Sequence, residues 1–200
     1  MLSPSPKQEQ SACLSRPELP TVRVAQPSDE AEIMEMCRKL HAENGLFSFS
    51  EDKVRDYLHR CYNRKGAIIG VIGESGNIQA STCLLISEMY YTRDWHLAEL
   101  WNHVLEQFRA SRNAEGLIAF GKKCSEEIGI PFITGIITNT RTAAKVRLYR
   151  RILGYPAGAF FVYNGKWNNG NPPSEEDFWK PFETRVQLRK RVRRERRGQR

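Results

Sequence analysis

The spacing of apolar positions changes several times along the chain, and each change marks an element. Val22–Ala25 is a short apolar run that reads as a strand. Ser28 and Asp29 then open a helix with Ile33, Met36, Cys37 and Leu40 on one stripe, stopped by Gly45. Asp29 and Glu32 have capping-box spacing there. Ser50 begins a second helix, with Val54, Tyr57, Leu58 and Cys61 inward. Ala67–Ile72 is a compact strand, residues 74–77 (ESGN) a turn, and Ile78 to about Tyr90 a long strand, which together predict a hairpin. Thr92–Trp95 is another turn and His96–Val104 a third strand of this group. Ala114 to Gly129 is helical, with Leu117, Phe120, Cys124 and Ile128 inward. Pro131–Thr138 is an isoleucine-rich strand. Thr142–Leu153 is a helix with Ala144, Leu148 and Ile152 on one face, and Ala159–Tyr163 a last strand. The order β α α β β β α β α β predicts an α/β (α+β) mixed sheet with helices on both faces.

The flanks obey other rules. Residues 1–20 are rich in Pro, Ser and Gln and cannot bury enough surface to offset ordering entropy, so disorder is expected. The folded domain is expected over 21–163, with 164–181 as a linker carrying Trp167 and Trp179 as candidate anchors, and 182–200 as an arginine-rich tail. That tail locates the charge. Residues 185–200 hold nine Lys/Arg against Glu195, so the formal net charge of +8 lies there, and the rest of the chain balances at 22 basic against 22 acidic residues. Two readings of the tail stay open: an electrostatic footprint for nucleic acid, or a solubilising extension. It lacks the interleaved aromatics that stack on bases.

With 200 residues, 40% hydrophobic and 27% charged, the chain fits one soluble domain. Its longest uncharged run, Ile152–Gly165, is too short for a bilayer, and the first residues lack the basic-then-apolar order of a secretory signal. Cytoplasmic location and no membrane partner are therefore the expectation. Cys13, Cys37, Cys61, Cys83 and Cys124 form no C-x-x-C pair and no His cluster accompanies them, so buried thiols and no metal are expected.

The junction after the His96–Val104 strand carries candidate chemistry. Residues 104–114 (VLEQFRASRNA) run from a strand into a helix, with Arg109 and Arg112 beside the turn. Successive amides there, with the positive end of the helix dipole, make an anion nest, and arginines favour phosphate. A solvated basic turn is the alternative.

This arrangement resembles the GNAT acetyltransferase superfamily, whose members share the element order and bind the pyrophosphate of acetyl-CoA with a Q/R-x-x-G-x-G/A loop. Here the loop aligns as Arg109-Ala110-Ser111-Arg112-Asn113-Ala114, with Arg112 in place of the central Gly. The form R-x-S-R-x-A also looks like a subgroup associated with phage and prophage genomes. Residues 147–155 (RLYRRILGY) are similar to the L-Y-x-K-x-G-F signature of the fourth helix, with one extra residue before Gly154 and Thr142 where the family has Asn.

The resemblance implies transfer of acetyl from acetyl-CoA, as co-substrate, directly to an amine of unknown acceptor. It implies that the main chain of Asn102, His103 and Val104 pairs with the pantetheine arm and supplies an oxyanion donor, where the fourth strand splays from the fifth. Arg109, Ala110, Ser111, Arg112, Asn113 and Ala114 would hold the pyrophosphate, and Tyr149 would protonate the leaving thiolate. Leu97, Glu99, Trp101 and His103 alternate onto one strand face. The resemblance makes Glu99 a candidate for the base, because it lies near where many members place a base carboxylate, and His103 is another because an ordinary histidine titrates in the useful range. Glu88 is a third candidate. Lys145, Arg147, Arg150 and Arg151 form either a solvated basic face or a contact for the 3′-phosphate. Phe47 and Phe49 line an acceptor groove or seal the core, the latter being the preferred reading. The alternative function is a catalytically drifted GNAT-like binding module, attached to nucleic acid or to a phage or host assembly by residues 185–200.

Overall fold

A computed structural model describes residues 18–138, 140–162, 165–167 and 170. Most of the N-terminal segment, most of the linker with Trp179, and the arginine-rich tail lie outside the described residues.

The sheet has five strands in sequential order: β1 (Arg23–Val24), β2 (Ala67–Ile72), β3 (Ala80–Glu88), β4 (Trp95–Val104) and β5 (Phe132–Ile133). The first four pair antiparallel, and β4 and β5 pair parallel. Two helices, α1 (Glu30–Asn44) and α2 (Glu51–Tyr62), cover one face with Ile33, Met34, Met36, Cys37 and Leu58. On the other face, α3 (Asn113–Ile128) packs Leu117 and Cys124, and α4 (Thr142–Leu153) lies against it. Gly70 in β2 makes this second layer possible. A Cβ there would fall 2.7 Å from the Phe120 ring, so only glycine lets that ring rest on the strand. Among the described residues no helix is long and apolar enough to cross a membrane, and Cys37, Cys61, Cys83 and Cys124 are buried free thiols.

The element order agrees with the sequence reading through α4, and the structure corrects it in several places. Residues 159–162 form no strand. β5 is two residues long, because residues 134–138 diverge from β4 and offer no ladder, and the Phe160 ring instead seats on Gly135, where a Cβ would fall 2.5 Å from it. Pro20 packs on Gly116 of α3. Ile128 is 49% exposed, because α3 outruns the sheet at its last turn. Phe49 packs on the core, whereas Phe47 is 79% exposed and seals nothing.

Neither Asp29 nor Glu32 caps α1. Asp29, fully buried, accepts both guanidinium nitrogens of Arg23 at 2.7 and 3.0 Å and the Gln26 amide at 2.8 Å. Glu32 reaches across to the amides of Gly76 and Ile78 in the β2–β3 turn. The Arg23 guanidinium holds the Asp29 carboxyl below the usual carboxylate range. A depressed carboxyl pKa adds stability that is present above the unfolded pKa of about 4 and is lost as pH falls through the folded value. Arg23→Met is therefore expected to cost about 2–4 kcal/mol in urea unfolding at neutral pH, with the gap to wild type closing only in acid below about pH 4.

Candidate active site

The site is a gap in the sheet. β4 and β5 pair only at Leu97–Phe132 and Ala98–Ile133, and past them a cleft of about 490 Å³ opens between β4 and residues 135–138. The end of α1, the turn before α3 and the inner face of α4 close it.

One irregularity decides which groups face the cleft. Cys83 lies opposite Trp101 and Leu84 opposite Glu99, so Leu100 is an extra residue, a β-bulge. Its effect is visible in packing. Leu97 and Val104 are seven apart yet both pack toward α3, while Trp101 packs toward α1 and α2. The expected alternation of Leu97, Glu99, Trp101 and His103 onto one face is therefore broken. Glu99 falls on the same side as Asn102, and Asn102 Nδ2 donates to Glu99 Oε1 at 3.2 Å.

The main chain keeps the same count. The Leu97 amide donates to Pro131, toward β5, whereas the Leu105 amide donates to Gln79, beside β3. Counting back in twos from Leu105, Trp101 and His103 face β3, so Asn102 and Val104 turn their peptide groups toward the cleft. Arg109 Nε donates to the Val104 carbonyl at 3.3 Å, from that side.

Glu99 and Tyr149 meet directly. Tyr149 Oη donates to Glu99 Oε2 at 2.7 Å, and Thr134 Oγ1 donates to the same oxygen. Burial raises the Glu99 carboxyl against the pull of these donors. Burial and the adjacent carboxylate push the Tyr149 phenol well above its ordinary value, so it keeps its proton. The helical period explains the placement. Ala144 and Leu148 line the cleft, and Lys145 and Tyr149, one position on from each, line it too.

His103 is 5% exposed, lines the cleft, and its Nε2 has no hydrogen-bond partner among the described residues. Burial lowers it to about 4, which corrects the expectation that it titrates in the useful range. It is neutral at pH 7, with one ring nitrogen a donor and the other an acceptor.

The turn before α3 is held internally. Arg109 Nη2 meets both Glu43 oxygens at 2.5 Å, and Arg112 pairs with Glu115 at 2.9 Å. Ser111 Oγ accepts the Asn113 amide, and Asn113 Nδ2 donates to Gln79 Oε1. Arg109, Ser111 and Ala114 line the cleft, whereas Ala110, Arg112 and Asn113 do not. The amides of Arg112 and Ala114 have no acceptor among the described residues, as expected at a helix start.

Lys145 leaves the basic face assigned to it. It is half-buried in the cleft, with Nζ donating to Thr138 Oγ1 at 2.9 Å, whereas Arg151 reaches Glu115 at 3.8 Å and Arg150 lies over the Tyr155 ring. Glu88 is exposed at the far end of β3, away from the cleft. Sequence reasoning missed Thr134, Glu43, Asn44, Thr138 and Thr140. Asn44 Oδ1 accepts from both Thr138 and Thr140 and so ties α1 to the loop before α4. No local pattern marks such long-range partners.

No protein-family profile and no curated protein sequence matches the chain. Solved structures do match. A predicted acetyltransferase with acetyl-CoA from Clostridium acetobutylicum superposes at TM-score 0.57 and 10% identity, over 72% of this chain and 95% of that one. Glucosamine-6-phosphate N-acetyltransferase from Arabidopsis thaliana gives 0.55 and 16%, over 74% and 98%. An aminoglycoside 6′-N-acetyltransferase from Acinetobacter haemolyticus gives 0.53 and 18%, over 72% and 95%. The chain thus has the mixed α/β fold of the GNAT acetyltransferases.

The His103 shift is open to direct measurement. An NMR titration is expected to find the ring neutral until about pH 4, against 6.5 for an ordinary histidine. Between those values the unfolded chain binds a proton that the fold refuses, so stability falls as pH drops through that window. Urea unfolding of His103→Asn is expected to show a shallower decline.

Proposed function

We propose that the protein is an N-acetyltransferase that passes acetyl from acetyl-CoA directly to an amine. The observation that carries this is the open β4 edge beside the Tyr149–Glu99 pair. Asn102 and Val104 turn their peptide groups away from β3, where an extended amide-bearing arm would add as a strand, and among the described residues only the Val104 carbonyl has a partner there, the Arg109 guanidinium. One of their N–H groups lies where an oxyanion would form, and Tyr149 stands across the cleft with a proton to give. The R-x-S-R-x-A loop supports placement beside the phage-associated subgroup.

In this reading the amine nitrogen attacks the thioester carbonyl and the carbon–sulfur bond breaks. Tyr149 protonates the thiolate, and Glu99, already bonded to that phenol, takes the proton the amine loses and returns it to Tyr149. Its raised pKa favours Glu99 over His103 as base. Ser111, Ala114 and the first amides of α3 would hold the diphosphate, with Arg109 exchanging Glu43 for a phosphate oxygen.

A second reading has a specific observation in its favour. Both loop arginines already have carboxylate partners, as in a fold that has given up the cofactor and serves as a binding module for nucleic acid through residues 185–200. Thiol release over a panel of amines separates the two readings. Turnover that falls about 100-fold or more in Tyr149→Phe, with acetyl-CoA affinity by calorimetry within about threefold of wild type, is the expected result. Absent turnover with salt-dependent retardation of nucleic acid in a gel supports the module.

A further inference from the structure

Lys145 is a second amine in the cleft, and the acetyl transfer proposed for Tyr149 and Glu99 does not use it. It sits one helical turn before Tyr149 on the same face of α4, and both side chains line the space opposite the free β4 edge. Its ammonium is half-buried, its one hydrogen bond is to the Thr138 hydroxyl, and no carboxylate lies within ion-pair distance of it among the described residues. The nearby acid, Glu43, is held by both oxygens on Arg109. An ammonium taken from water with only a shared counter-charge beyond ion-pair distance is costly, and it sheds the cost by giving up its proton or by meeting an anion. The group thus shares one cleft with a proton-donating phenol and an open strand edge.

We propose that Lys145 is a modification site, acetylated at Nζ by the acyl thioester that the same cleft binds. The proposal rests on the acetyl-CoA reading and goes beyond it. The neutral Nζ attacks the thioester carbonyl, the nitrogen–carbon bond forms and the carbon–sulfur bond breaks. Nζ loses one proton to Glu99 or water, and the leaving sulfur gains one from Tyr149. The products are Nζ-acetyl-lysine and free thiol, with no oxidant or further reactant. Burial, opposed by Glu43 and helped by Arg109 and Arg141, lowers Lys145 to about 8, where about half of it carries a free lone pair, against roughly 0.3% for an ordinary lysine at the same pH. The amide formed is uncharged, so the modified cleft presents a weaker field to the next anion.

The test is incubation of the full chain with acetyl-CoA and no acceptor, followed by intact-mass and peptide mapping. One acetyl per chain on Lys145, arriving at least about tenfold faster than on exposed Lys53, Lys122 or Lys123, is the expected result. It should be absent in Lys145→Met and slowed in Tyr149→Phe, with thermal melting to confirm that both variants fold. Calorimetry with acetyl-CoA runs alongside. Binding and turnover of an added amine, with Lys145 unmodified, overturns this proposal and leaves the enzyme reading standing. Binding weakened tenfold or more in Lys145→Met, without acetylation of the wild type, makes Lys145 an anion contact and also overturns it. No binding at all overturns both. A readout free of acetyl-CoA is competitive labelling with acetic anhydride, in which Lys145 should show a midpoint near 8 rather than 10.5.

Discussion

The cleft depends on where β4 stops having a neighbour. An edge strand exposes a row of peptide groups, and proteins usually cover, twist or charge that edge. Here β5 covers β4 for two residues and then departs, and the bulge at Leu100 falls within that departure. The extra residue rotates the rest of the strand, turning the peptide groups of Asn102 and Val104 outward and bringing Glu99 and Asn102 to one side. Without it, the same residues would pack Val104 toward α1 and α2 and take Asn102 away from Glu99. The fold thus leaves hydrogen-bonding capacity unspent at one place, while β1–β4 stay paired antiparallel, interrupted by the bulge between β3 and β4.

Electrostatics inside the cleft divide into two regions. Around Glu99 the donors of Asn102, Thr134 and Tyr149 converge on one buried carboxylate, so this acid is fixed in position and its phenol partner is kept protonated. Toward α1 and the turn before α3, Arg109, Arg141 and Lys145 gather with Glu43 as their counter-charge, and the buried His103 contributes no charge of its own at neutral pH. The protonated lysine, two arginines and one carboxylate leave that end of the cleft positive, as a site for a polyanion requires.

Much of this was legible in the chain. The strand–turn–helix at 104–114 and the Leu148-Tyr149 pair located two walls of the cleft, because both depend on local spacing. What was hidden depended on long-range geometry. The bulge leaves no mark in the sequence of β4, since Leu100 is an ordinary strand residue, so the direction of Glu99 was unreadable. Lys145 looked like its neighbours Arg147, Arg150 and Arg151 because a helical wheel gives relative angles and not which arc meets a cavity. Phe160 and Phe161 have the composition of a strand, but a strand needs a partner edge, and residues 134–138 had already left the sheet. Glu43 lies sixty-six residues from Arg109, beyond any local pattern.

That last contact sets a threshold on what enters. A carboxylate attached to the same chain has an effective concentration of its own, so an anion that merely matches it must exceed that concentration to displace it. A visitor with a single dispersed negative charge gains nothing by displacing Glu43 from Arg109. One with two adjoining charges, able to engage the guanidinium and the helix start together, does. In the acetyl-CoA reading, the internal pair would therefore favour a ligand of high charge density over single dispersed anions.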